Sequence, residues 1–120
     1  MLDVKKLIAK MLQKSVKFEL GYNSSLPVTT KRGQGVYDPT NGSVRIFFNL
    51  NGDTNISTNA VLLIVPTAYR PSGTVYGSMF ARIGASGYAA FEFSLTSDGA
   101  IKQSVSSTFR GAFGYIEYVI

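Results

Sequence analysis

The chain has no cysteine, no histidine and no tryptophan among its 120 residues. Without cysteine, disulfides and thiolate metal sites are excluded. Without histidine, the commonest general base and the commonest zinc ligand are missing, and neither a Ser-His-Asp nor a Cys-His arrangement can form. Catalysis would have to rest on seven carboxylates, on lysine or on tyrosine. There is no run of about 18 consecutive apolar residues, so no membrane-inserted helix is expected. Met1-Leu2-Asp3-Val4-Lys5-Lys6 lacks the basic-then-apolar order of a signal peptide. The expectation is therefore a protein that stays where it is made or leaves by lysis.

What is present fits one folded domain. A chain of 120 residues that is 45% hydrophobic and 16% charged is too apolar for a disordered segment and long enough for one core. The formal charge is +5, but its placement is uneven. Lys5, Lys6, Lys10, Lys14 and Lys17 face only Asp3 in the first 17 residues, whereas seven basic residues meet six acidic ones from residue 18 onward. A nucleic-acid-binding domain would carry a basic face on its folded part. None is indicated, so no nucleic-acid partner is expected.

Residues 3–15 read as an amphipathic helix. Val4, Leu7, Ile8, Met11 and Leu12 follow the i, i+3, i+4, i+7, i+8 rule, and lysines hold the other face. Asp3 stands where an N-cap would help. So short a helix is marginal alone. Its apolar stripe needs a partner, either its own β-domain or the same helix of neighbouring subunits, and these five residues are the candidate oligomerisation set. The helix, 1–16, precedes a β-domain, 17–120.

After the helix the period changes to two. Val16, Phe18 and Leu20 alternate with Lys17 and Glu19. Gly21–Ser25 reads as a loop, residues 26–30 as a short edge strand, Lys31–Gly35 as a loop and Val36-Tyr37 as a short extended pair. Asp38-Pro39-Thr40-Asn41-Gly42 is a strong turn. Strands are predicted over 43–50, 60–65, 74–83, 88–95, 100–105 and 111–120. Asn51-Gly52-Asp53 reads as a turn, and Gly77 as a bulge. Residues 60–65 are continuously apolar, as in a strand covered on both faces. The last strand is apolar on both faces, so it is central or covered by a second subunit. Thr96-Ser97-Asp98-Gly99 is the clearest hairpin signal. About eight strands spaced in this way imply an all-β fold: an antiparallel β-sandwich or jelly-roll-like barrel behind a short N-terminal amphipathic helix.

Three pieces of the second half form a constellation. Ile64 to Tyr76 runs from an apolar strand through Pro66 and a Tyr69-Arg70-Pro71-Ser72-Gly73 turn into a new strand. Leu95 to Ile101 carries the Asp-Gly hairpin. Gly114-Tyr115-Ile116-Glu117-Tyr118-Val119-Ile120 closes the chain. Together they resemble the C-terminal head domains of bacteriophage tail and baseplate receptor-binding proteins of Gram-positive hosts. The resemblance implies a homotrimer, a β-barrel head, recognition of host cell-surface saccharide, and a place on the virion at the tail tip or baseplate among other tail proteins. The N-terminal helix would match the helical segment that precedes such heads. Against this pattern, the chain has only a short helix where a virion-attachment region stands.

Several side chains could meet such a ligand. Tyr69 and Arg70 could project from their turn, or Pro71 and Gly73 could simply shape it while Tyr69 packs over it. Tyr37 and Tyr88 lie near turns, where an aromatic face could stack on a sugar ring. Asp38 and Asn41 could bond hydroxyls, though both residue types also build turns. These six, Tyr37, Asp38, Asn41, Tyr69, Arg70 and Tyr88, are the candidate ligand-binding residues. Glycoside hydrolysis would need two carboxylates roughly 5–10 Å apart; Glu92 and Glu117 each lie in a predicted strand and could meet if those strands were neighbours. No enzyme, metal or cofactor is expected. The leading function is a saccharide-binding virion adhesin; the alternative is a structural decoration or capping protein that binds no receptor.

Overall fold

A computed structural model describes residues 3–11, 14–24, 30–56, 60–82, 87–103 and 109–120. Helix α1 is Val4–Met11. Asp3 caps it, accepting from the backbone N–H groups of Lys5 and Lys6 at 3.1 and 3.2 Å. Val4 and Ile8 on its apolar stripe are at least half exposed, so the β-domain does not cover that part of the stripe. Leu12 and the side chains of Leu7 and Met11 lie outside the described set. The radius of gyration is 16.4 Å, against about 14 Å for a compact chain of this length. The molecule is a rod, 60 × 24 × 23 Å.

Nine strands follow: β1 Val16–Glu19, β2 Gly21–Tyr22, β3 Thr30–Asp38, β4 Ser43–Ile56, β5 Val61–Ile64, β6 Val75–Arg82, β7 Tyr88–Leu95, β8 Ala100–Gln103 and β9 Phe109–Val119. They form one antiparallel sheet in the order β1-β3-β4-β9-β6-β7-β8-β5-β2. The two outermost strands are consecutive in the chain, and Leu20 alone separates them. Val16–Glu19 pairs with β3 while Gly21-Tyr22 pairs with β5. One segment thus bridges both edges, and the sheet curls into a nearly closed barrel. Leu20 is buried at this seam, and its N–H donates to the Gly33 carbonyl at 3.2 Å. The all-β antiparallel architecture expected from the strand spacing is the one observed.

The core is the inward face of the barrel. Val44, Ile46, Phe48 and Leu50 of β4 meet Ala112 and Ile116 of β9, Met79 and Ala81 of β6, Phe93 and Leu95 of β7, and Ile101 of β8. Three phenylalanines lie across the neighbouring strand onto a glycine directly opposite: Phe18 on Gly35, Phe93 on Gly77 and Phe48 on Gly114. At each glycine a Cβ would collide with the ring. The small residue lets a large ring lie flat inside a narrow barrel.

This packing corrects the sequence reading at several places. Lys31–Gly35 is not a loop. It belongs to the nine-residue β3, whose inward Gly33 and Gly35 sit under Leu20 and Phe18. Gly77 is not a bulge; its pairing with Phe93 is regular. Gly21-Tyr22 is strand rather than loop, because barrel closure gives it Ile64 and Leu63 as partners. Asn51–Asp53 does not turn the chain. β4 runs on to Ile56, with an irregular register between Asn51 and Ile56. β5 is covered on both faces only in part, since Ile64 is exposed. The last strand is central, between β4 and β6. Residues 26–29, Ile83 and residues 104–105 of the expected strands lie outside the described residues.

Candidate functional site

Five of the six sequence-predicted ligand residues gather at the barrel end from which α1 departs. There Tyr69, in a 3-10 turn Thr67–Tyr69, stacks flat on Phe18 with ring centroids 4.0 Å apart, and Tyr37 leans on it at 5.5 Å. The Tyr118 hydroxyl donates to the Tyr69 carbonyl at 2.5 Å. Burial pushes the Tyr118 phenol far above its ordinary range. These rings stopper the barrel. Arg70 folds back, its Nε–H donating to the Val65 carbonyl at 2.8 Å, and it packs against Gly99 of the Asp-Gly hairpin. Asp38 accepts from the Thr40 N–H and Asn41 from the Ser43 N–H, at 2.9 and 3.0 Å, which shapes their own turn. Gly42 completes that turn at φ +75°, a conformation glycine adopts without strain.

Tyr88 stands apart. It pairs with Arg82, which pairs with Gly111, which pairs with Asn51. That row is seven residues along β4 from Val44, about 23 Å away. Glu92 and Glu117 are separated by β6 and are not cross-strand partners. Glu117 instead accepts a 2.7 Å hydrogen bond from the Tyr115 hydroxyl, which raises the Tyr115 phenol. No group of three or more metal-ligating side chains occurs among the described residues.

The outer face of β4, β9, β6 and β7 is where the surface departs from the polar exterior expected of a half-solvated sheet. The register places Phe47 opposite Tyr115 and Phe113 opposite Phe80. The rings of Phe47 and Tyr115 are 4.9 Å apart, those of Phe80 and Phe113 5.4 Å, and Tyr88 reaches Phe113 at 5.6 Å. All five rings are exposed. They form one aromatic belt, with an apolar hollow of about 290 Å³ between Phe47, Phe80, Phe113 and Tyr115.

Beside the belt, across β1, β2, β3 and β4, lies a groove of about 370 Å³. Glu19, Tyr22, Arg32, Gln34, Asn49 and Phe47 line it, and all six are exposed. Register explains the grouping: Glu19 is opposite Gln34, Gln34 opposite Phe47, and Arg32 opposite Asn49. Tyr22 arrives from the closing strand. The groove thus sets two aromatic rings among a carboxylate, two amides and a guanidinium, a mixture able to stack on a ring and bond its hydroxyls. Phe47 belongs to groove and belt alike.

No family model matches the chain, and no curated protein matches it. The groove and belt residues other than Tyr88 were missed by sequence reasoning. Their signal was present in part, because Phe47, Phe113 and Tyr115 sit at the parity opposite the core residues of their strands.

Proposed function

We propose that this protein is a non-catalytic adhesin module of a bacteriophage virion that binds host cell-surface saccharide as a homotrimer. The observation that carries this reading is the groove of about 370 Å³, with Tyr22 and Phe47 as stacking faces among Glu19, Arg32, Gln34 and Asn49. Sugars offer an apolar ring face and a rim of hydroxyls, and this lining matches both. An open groove on a rigid barrel suits shallow binding of a polymer. Weak single sites suffice when several copies act together. The likeness of the second half of the sequence to receptor-binding heads supports the virion setting, with α1 directed toward other tail proteins.

The test is binding of the full chain to an array of Gram-positive envelope polysaccharides. Wild type should bind a subset saturably without shortening the polymer. Tyr22→Ala and Arg32→Ala should each weaken that binding about tenfold or more, the equivalent of one lost stack or charged hydrogen bond. An assembled wild type that binds no glycan refutes the adhesin reading and leaves a decoration protein, a reading the exposed Val4 and Ile8 of α1 would favour.

A further inference from the structure

We infer that the groove does not end at Phe47: the rings on β4, β9 and β6 continue it, and the two together form one track for several consecutive units of a linear polysaccharide. This rests on the saccharide reading of the groove and extends it to the form and length of the ligand.

Register is the first support. Two rows of outward-facing residues cross the sheet side by side. Gln34 is opposite Phe47, Phe47 opposite Tyr115, and Tyr115 opposite Ser78. Two residues along each strand, Arg32 is opposite Asn49, Asn49 opposite Phe113, and Phe113 opposite Phe80. The near ends of both rows line the groove and the far ends line the apolar hollow of about 290 Å³. Phe47 lines both, so the hollow adjoins the groove in the direction of the rows. Tyr88 stands off this line, opposite Arg82, two residues beyond Phe80. From β1, which carries Glu19, to β6 there are four strand spacings. At about 4.8 Å each they span about 19 Å, and because barrel strands tilt, the path climbs the wall obliquely. One strand spacing is close to the length of one pyranose unit, so the track holds about four units.

The surface is the second support. Phe47, Phe80, Phe113 and Tyr115 are between 39% and 54% exposed. At about 150–250 Å² per aromatic side chain, the four leave on the order of 400 Å² of ring surface in water. A patch of that size on a monomer is often functional. The rings are also held in place. β4, β9 and β6 each have a neighbouring strand on both sides, Phe47 braces Tyr115, Phe80 braces Phe113, and the Tyr115 hydroxyl is tied to Glu117. Platforms fixed in advance lose little freedom when a ligand arrives. Exposed polar groups accompany them along the line: Gln34 and Asn49 beside Phe47, Ser78 beside Tyr115, and Glu92 opposite Ser78. A chain of sugars offers an apolar ring face and hydroxyls at every unit, which fits rings and polar groups repeated along one path.

The experiment takes a polysaccharide that wild type retains on the array, cuts it by partial hydrolysis into size-fractionated oligosaccharides, and titrates each into the full chain by calorimetry. Three variants are compared, each checked for folding by circular dichroism. Phe80→Ser removes an exposed ring at the far end of the track. Ser78→Leu fills the hollow and leaves every ring in place. Tyr88→Ser removes an exposed ring off the track. Wild-type affinity should rise with fragment length up to about four units and then level. Phe80→Ser and Ser78→Leu should bind the shortest fragments as wild type does and the longest about tenfold more weakly. Tyr88→Ser should match wild type at every length. Affinity that levels once the groove alone is filled, at about two units, overturns the track while the groove reading stands. Long fragments that bind Phe80→Ser and Ser78→Leu as tightly as wild type, or that Tyr88→Ser weakens as much, overturn it equally. A wild type that binds no polysaccharide on the array overturns the groove reading and the track with it.

Discussion

Gly114→Ala should destabilise the barrel through one ring. Gly114 of β9 lies directly opposite Phe48 of β4. An added Cβ would fall 2.6 Å from Phe48 Cε1 and closer still to Cζ, whereas ordinary contact begins near 3.4 Å. The ring cannot simply step aside. It is buried, and its neighbour Phe93 meets it edge-on at a centroid distance of 5.1 Å. Overpacking of this kind costs about 1–3 kcal/mol. Phe48→Ala alone should cost about 3–5 kcal/mol as a cavity. In the double variant the clash is gone, so the added methyl sits in the space the ring vacated. The two changes should therefore be non-additive, with the double variant about 1–3 kcal/mol more stable than the sum of the singles. Urea titration of the four proteins at one fixed concentration measures this, since assembly would otherwise shift the midpoints. Additivity within about 0.5 kcal/mol would refute the idea that glycine is present to seat the ring.

Two further perturbations read the electrostatics. Burial raises the Tyr118 phenol, so the fold holds that proton more tightly than the unfolded chain does. The resulting stability is fully present below a pH of about 10 and is lost as the pH climbs beyond it. Tyr118→Phe should cost about 1 kcal/mol at neutral pH and flatten the alkaline loss, seen by chemical denaturation against pH. Asp98 accepts from the Thr96 hydroxyl and the Ala100 N–H, and Lys102 adds attraction, so its carboxyl is held below the ordinary range. Its contribution is present above a pH of about 4 and fades as the pH falls through the lower folded value. The stability gap between wild type and Asp98→Asn should accordingly narrow in acid; a gap that widens would contradict the hydrogen-bonded turn.

Local features were legible in the sequence because their causes are local. The Asp98-Gly99 hairpin needs a residue with positive φ, and Gly99 has φ +87°. The Asp38–Gly42 turn is built from its own side chains. Alternation over 43–50 sorted Val44, Ile46 and Phe48 inward because strand geometry has a period of two. Features that depend on distant partners were not legible. Gly33 and Gly35 have the composition of a loop, and only the arrival of Leu20 and Phe18 across the seam makes them strand. Gly21-Tyr22 becomes strand because the barrel closes there. The candidate site follows the same division. The outward parity of Phe47 and Phe113 was visible. Their meeting with Phe80 required the order β4-β9-β6, which comes from pairings between residues far apart in sequence. Tyr69 and Arg70 sit in a turn as expected, yet the first is stacked on Phe18 and the second bonded to the Val65 carbonyl.

Oxidative footprinting of the aromatic side chains with and without bound saccharide addresses the groove most directly. Tyr22 and Phe47 should lose reactivity together when a polysaccharide bound on the array is added, while buried Phe93 stays protected throughout and Tyr88, outside the groove, stays reactive. Groove rings that react equally with and without a polysaccharide that binds would contradict it.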